Sequence, residues 1–207
     1  MFSDQDLAVM DSIIKRYPRS RSAIMPLLHY AQSKAGYVTN EAIELIAQLL
    51  TIETAEVSAV ATFYTQYKRK PVGEYHVGVC TNTLCAVMGG DAIFAGLKNH
   101  LGIENDGVTA DGKVSLEHIE CNAACDYAPV VMANWEFYDN QTVQSSKDLV
   151  DAMRQGNPPA PTRGPKSLPT WKENSAVLAG INDGRANEGV QAGKPTLLGL
   201  KLAKEGK

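Results

Sequence analysis

From Ser3 to about Thr65 the apolar residues recur at intervals of three and four, the period of one helix face. Ser3 with Asp6 makes a capping-box pattern ahead of Leu7, Met10, Ile13 and Ile14, which opens a first helix. A second helix fits Ser22 to Ala35, with Ile24, Leu27, Leu28 and Ala31 on one side and Gly36 as its stop. Pro26 fits that helix only in its first turn, where its missing N–H costs no hydrogen bond. A third helix runs from Asn40 as cap through Ile43, Leu45, Ile46 and Leu49. A fourth starts near Thr51 and carries Val57, Val60, Ala61 and Phe63. Four such faces joined by short links predict a helical bundle over residues 1–70.

The period changes at Pro71. Glu74 to Cys80 alternates as a strand does, and Gly89-Gly90-Asp91 opens a helix through Ile93, Phe94 and Leu97 to about Leu101. Val114 to Glu120 reads as a second strand, and Pro129 to Phe137 as an apolar, β-rich stretch. Asp139-Asn140 then turns the chain toward Thr142-Val143, and Ser145 or Ser146 caps a last helix carrying Leu149, Val150 and Met153. The order β-α-β-β-β-α over residues 71–156 predicts a parallel pair joined by a helical crossover, then an antiparallel hairpin and a helix. That is a thioredoxin-like arrangement, and the fold class is α+β.

After Gly156 periodicity is lost. Pro158, Pro159, Pro161, Pro165, Pro169 and Pro195 interrupt the chain, and glycines are frequent. Residues 157–207 are expected to form an extended tail that buries no core of its own. The alternative is a strap along a partner, anchored by Trp171 or by Leu197, Leu198 and Leu200.

Composition narrows the function classes. The 207 residues allow one or two domains, and 44% hydrophobic residues support a core. Mean hydropathy of -0.20 reads as a soluble chain. No run approaches the roughly 18 apolar residues of a membrane helix. The acidic start, Met1 to Asp6, has no signal-peptide core, so a reducing compartment with free thiols is expected. A net charge of -3 argues against a nucleic-acid partner. Lys68, Arg69 and Lys70 read as a solvated turn before Pro71.

The four cysteines stand in two pairs, Cys80-x4-Cys85 and Cys121-x3-Cys125. A βαβ crossover takes about thirty residues, close to the gap between the pairs. Both pairs therefore fall just after the C-terminal ends of neighbouring parallel strands, where ligands collect in open α/β sheets. Two loops, each giving two thiolates, can close around one inorganic centre. Structural zinc sites usually carry tighter C-x2-C turns, whereas a two-iron cluster takes two thiolates per iron. Spacing thus favours [2Fe–2S] over zinc, with disulfides or structural thiols as the third reading. Rieske ligation needs two histidines; His118 lies near Cys121, but no second histidine is placed to help, and His29, His76 and His100 read as ordinary helix and strand residues. Thr81, Asn82 and Thr83 in the first loop, and Asn122, Ala123 and Ala124 in the second, are small enough for backbone N–H groups to reach sulfur.

Two chemistries are disfavoured. No G-x-G-x-x-G follows a strand, and Gly89-Gly90-Asp91 reads as a turn with a helix cap rather than a phosphate loop. Neither cysteine pair has the C-x-x-C spacing of a thiol-disulfide oxidoreductase.

The stretches Val79-Cys80-Thr81-Asn82-Thr83-Leu84-Cys85 with Gly89-Gly90, and Glu120-Cys121-Asn122-Ala123-Ala124-Cys125-Asp126-Tyr127-Ala128-Pro129, resemble the E-subunit family of NADH:quinone oxidoreductase, respiratory complex I. Arg21-Ser22-Ala23-Ile24-Met25-Pro26-Leu27-Leu28 and Val57-Ser58-Ala59-Val60-Ala61-Thr62-Phe63-Tyr64 are similar to that family's helical domain. The resemblance covers about residues 5–155. It implies a thioredoxin-like [2Fe–2S] ferredoxin domain behind a helical domain, with Cys80, Cys85, Cys121 and Cys125 as ligands and no catalytic acid, base or nucleophile. It further implies a neighbouring subunit that binds FMN and NADH, other iron-sulfur subunits, and a cytoplasmic position on the inner face of the plasma membrane through the complex. The chain departs from the family at Ala123-Ala124, where a glycine is usual, and at Leu84, where a proline is frequent. The equivalent subunit of an NAD-linked hydrogenase or formate dehydrogenase is the near alternative; a zinc-stabilised binding module is the alternative from another class.

Overall fold

A computed structural model describes residues 2–206; Met1 and Lys207, the outermost residues of the expected first and last segments, lie outside it. In chain order the elements are α1 (Asp4–Ile14), α2 (Ile24–Ala35), α3 (Asn40–Leu50), α4 (Thr54–Phe63), β1 (Tyr75–Cys80), α5 (Thr83–Val87), α6 (Gly90–Leu101), β2 (Gly107–Val108), β3 (Val114–Ile119), β4 (Val131–Ala133), β5 (Glu136–Tyr138), α7 (Val143–Arg154), α8 (Trp171–Leu178) and α9 (Lys194–Lys204). They divide into two units: residues 2–72 with Pro169–Asp183, and Gly73–Leu168 with residues 184–206. Among the described residues no helix is long and apolar enough to cross a membrane.

The helical unit starts at the expected capping box. The Asp6 N–H donates to Ser3 Oγ at 3.2 Å, and the Ser3 N–H donates to the Asp6 carboxylate at 2.9 Å. Lys34, Ser3 and Tyr30 together hold the Asp6 carboxyl well below the usual range. Gly36 ends α2 with φ 86, the left-handed stop that a side chain would strain. Thr39 rather than Asn40 caps α3, since its hydroxyl accepts from the Ala42 N–H at 3.1 Å. The fourth helix begins at Thr54, because Thr51 (φ 56) is spent on ending α3. Met10, Ile13, Leu27, Leu28, Ile46 and Val57 bury their side chains completely between these helices.

Within the stretch expected to be extended, 157–207, the described residues form two helices, α8 and α9. Thr170 and Glu173 form a capping box that starts α8. Trp171 is 2% exposed, and its indole N–H donates to the Gly36 carbonyl at 2.7 Å. The buried Gln32 ties three segments together: its amide donates to the Gln66 carbonyl and to Ser175 Oγ, and its carbonyl accepts from the Lys68 N–H. Trp171 is thus an anchor, as one reading of the tail had it, but onto the helical unit of its own chain.

The sheet unit has strand order β2-β3-β1-β4-β5. β1 and β3 run parallel, with Tyr75 opposite Val114 and Cys80 opposite Ile119. β4 lies antiparallel on the other side of β1. β1 is buried at every position, as a central strand should be. One face, with Val77, Val79, Leu116 and Val131, packs with Ile93 and Leu97 of α6 and Leu149, Val150 and Met153 of α7. The other carries a smaller cluster around Cys80, Cys85, Ile119, Val130 and Met132.

Two details differ from the sequence pattern. The apolar stretch 129–137 is a hairpin, turning at Asn134 (φ 48) and Trp135 (φ 67). Asn134 is fixed there because its side chain accepts from the His76 N–H and donates to the Glu74 carbonyl. α7 is capped by Thr142, and Ser145 completes the box from inside the first turn.

Candidate metal centre

Each cysteine is placed by a different piece of backbone. Cys80 is the last residue of β1. Cys85 lies on the short helix α5, folded back beneath the strand end. Cys121 follows β3, and Cys125 opens a 3-10 turn, Cys125–Tyr127. Because β1 and β3 are parallel neighbours, both loops leave the sheet at the same edge. All four thiols are free of disulfides; Cys80 and Cys85 are buried, and Cys121 and Cys125 are exposed.

The sulfurs sense one another across the two loops. Cys121 and Cys125 Sγ are 4.0 Å apart. Burial first, and then the neighbouring Cys80 and Cys125, push the Cys85 thiol up to about 11. Cys125 is also pushed up, by Cys121 first and by Cys80 further off. Two thiols, Cys85 and Cys125, whose ionisation is discouraged by burial and by the neighbouring sulfurs, suit a cationic centre, which would supply the charge that favours their thiolates. Among the described residues no three His, Cys, Asp or Glu side chains are disposed around a single ion. The sulfurs stand two and two, the donor set of a two-iron cluster.

The surroundings supply donors and close contacts. The Ala123 N–H donates to Cys121 Sγ at 3.4 Å, and the Val130 N–H reaches the Cys85 sulfur. Asn82 bridges the loops, donating to the Ile119 carbonyl at 3.3 Å. The Cys80 N–H donates to the Val130 carbonyl at 3.1 Å, and the Ala128–Pro129 bond just before it is cis. Gly90 matters more than its reading as part of a turn indicates. A Cβ there would lie 2.5 Å from the Cys80 carbonyl oxygen and 2.8 Å from that of Cys85. Only glycine lets α6 approach the first cysteine loop this closely, and the signal available in the sequence was the Gly-Gly pair itself. Ala123 takes φ 55, a left-handed conformation that costs a non-glycine residue about 1 kcal/mol or more. The glycine usual in the resembled family falls at this part of the loop.

The histidines stay apart from the sulfurs. His76 is buried between Ser115 Oγ at 2.9 Å and the Glu117 carboxylate at 2.8 Å. His118 stacks edge-on against Phe94, and His100 meets Asp151 at 2.8 Å.

A five-stranded sheet with a parallel β1–β3 pair, and two cysteine pairs in the loops that follow those strands, is the arrangement of a thioredoxin-like [2Fe-2S] ferredoxin. The chain belongs to that family, whose sequence profile matches residues 10–154. Among individual relatives, the E subunit of the NADH-quinone oxidoreductase of Mycobacterium tuberculosis is 58% identical over 194 residues, 93% of this chain and 77% of that protein. Its namesake from Rickettsia bellii is 42% identical over 156 residues, 74% of this chain and 93% of that protein. A solved NAD+-reducing [NiFe]-hydrogenase superposes with a TM-score of 0.57 at 20% identity, over 69% of this chain. This chain spans only 25% of that hydrogenase chain, and the likeness is one of fold.

Proposed function

We propose that this chain is the electron-transfer subunit of an NADH-quinone oxidoreductase, respiratory complex I. Cys80, Cys85, Cys121 and Cys125 hold one [2Fe–2S] cluster per chain. The observation that carries this reading is the placement of two thiol pairs in two loops at one edge of the β1–β3 pair. When bound, the cluster accepts and donates one electron at a time. The chain's own residues do the rest. The buried pair, Cys80 and Cys85, shields one side from water, and the Ala123 and Val130 amides offset thiolate charge. The exposed pair, Cys121 and Cys125, faces outward, where a short path to another redox centre is possible.

The partner in this reading is the subunit that binds NADH and FMN. Hydride brings two electrons to the flavin, and this chain takes them singly. Leu84 and Val87 on α5, and Met88 just after it, are exposed near Cys85, with Val87 82% exposed, and form an apolar surface suited to that partner. Assembly with the flavoprotein and the other iron-sulfur subunits brings the chain to the inner face of the plasma membrane without inserting it. The 58% identity to the Mycobacterium tuberculosis relative favours this assembly over a hydrogenase or formate dehydrogenase.

The division of labour has a direct test. The purified chain should not oxidise NADH, whereas the chain mixed with its flavoprotein should develop the EPR signal of a reduced cluster when NADH is added. NADH oxidation by the chain alone would refute the division.

A further inference from the structure

The C-terminal segment after α8 returns to the sheet unit and follows a tightly specified path. The Gly164 N–H donates to the Val190 carbonyl at 3.0 Å, and the Lys166 N–H donates to the Glu188 carboxylate at 3.1 Å. Gly189 (φ 65) passes so close that a Cβ on it would run into the Gly164 carbonyl oxygen. A Cβ on Gly193 would likewise run into the Tyr127 hydroxyl. Three residues later the Thr196 hydroxyl donates to the Asp126 carboxylate.

Asp126 and Tyr127 belong to the turn that Cys125 opens. Tyr127 is held from its other side too. The Arg163 guanidinium lies 5.2 Å from its ring and 4.2 Å from that of Phe137, and is fixed by Asp139 at 2.8 Å. The backbone of the turn is tied by the Asn140 N–H, which donates to the Tyr127 carbonyl at 2.8 Å. Besides that backbone tie, the contacts to the side chains of the turn come from 163 and from 193–196. Both lie beyond the 10–154 stretch that defines the family. The alignment with the Mycobacterium tuberculosis relative extends over 194 residues, against 156 for the Rickettsia bellii one.

We infer that residues 184–196 are a strap that holds the Cys125-Asp126-Tyr127 turn, with Thr196 and Tyr127 as positioning residues for the cluster. The inference rests on the four-cysteine reading above. Its physical content is twofold. The strap limits motion of the loop that carries Cys125, so it slows loss of the metal. The Thr196 hydroxyl also withdraws charge from Asp126, the carboxylate next to Cys125; without that donor more negative charge faces the cluster and its potential falls.

The full-length chain with Thr196→Val or Thr196→Ser tests this, with Gly193→Ala as a second variant acting on the other anchor. Three readouts apply: iron release to a chelator, the midpoint potential by EPR titration, and hydrogen exchange of the Tyr127 and Ala128 amides. Thr196→Val and Gly193→Ala should release iron about tenfold faster, the scale of an outer-shell loss, and exchange those amides faster. Thr196→Val should also lower the potential, and Thr196→Ser should restore all three values. Wild-type behaviour of both Thr196→Val and Gly193→Ala overturns the strap. Absence of iron and sulfide from the wild-type protein overturns the cluster assignment instead. The exchange arm needs no cluster and still reads the strap.

Discussion

His29 shows how a single residue sets a pH limit on the helical unit. It is 5% exposed, its ring lies 4.7 Å from that of Tyr67, and its Nδ1 has no hydrogen-bond partner among the described residues. Burial holds its pKa near 4, below the ordinary 6.5. A base whose pKa is lowered by folding is protonated first in the unfolded chain. Stability is therefore full above pH 6.5 and drains away as the pH falls toward 4, by up to about 3 kcal/mol for this one group. Thermal melts from pH 7 to 4 should show that loss in the wild type and a flatter profile in His29→Gln; parallel profiles would contradict it. Asp6 works on a lower window. Its carboxyl is depressed on folding, so its contribution is present above about pH 4 and is lost below it. The sequence made the cysteines legible, because their chemistry lies in residue type and spacing. It shows Ala123-Ala124 as a departure from a family in which a glycine is usual, but not the φ of 55 at Ala123.

At the scale of elements, what could be read depended on length and on which signal dominated. α2 and α6 are long enough to show a helical period, and each stops at a glycine in the left-handed region. α5 has five residues and β2 two, too short for any period to emerge. The 129–137 stretch hides its turn because tryptophan rarely takes positive φ, and Asn134 is the one residue in the interior of the stretch with a turn preference. α8 did have a signal, the Thr170-x-x-Glu173 box immediately after Pro169, but the surrounding prolines outweighed it. Docking of that helix depends on Trp171, which fills the core beside α2 and bonds the end of that helix through Gly36. Trp171→Ala should lower the stability of the helical unit by about 3–5 kcal/mol, read as an earlier loss of helical circular dichroism in urea. A midpoint shift worth less than about 1 kcal/mol would mean that α8 is not part of that core.

For the molecule as a whole, the chain passes from the helical unit to the sheet unit after Val72, returns for Pro169–Asp183, and goes back again. The thiols, the donors to them and the strap all lie in the sheet unit, so a cluster held by these four sulfurs would be confined to one of the two. The helical unit contributes none of the four sulfurs. The β-α-β crossover explains why the two cysteine pairs fall in neighbouring loops. Once two strands are parallel neighbours, the loops that follow them leave the sheet at the same end. The strap could not be anticipated in the same way, because its contacts join residues 126 and 196, and 164 and 190, with no local pattern to announce them. The central claim is that the two thiol pairs hold one binuclear cluster. The measurement that tests it most directly is the iron, zinc and acid-labile sulfide content of the anaerobically purified chain. Two irons and two sulfides per chain, with negligible zinc, is the predicted result; one zinc without sulfide would contradict it.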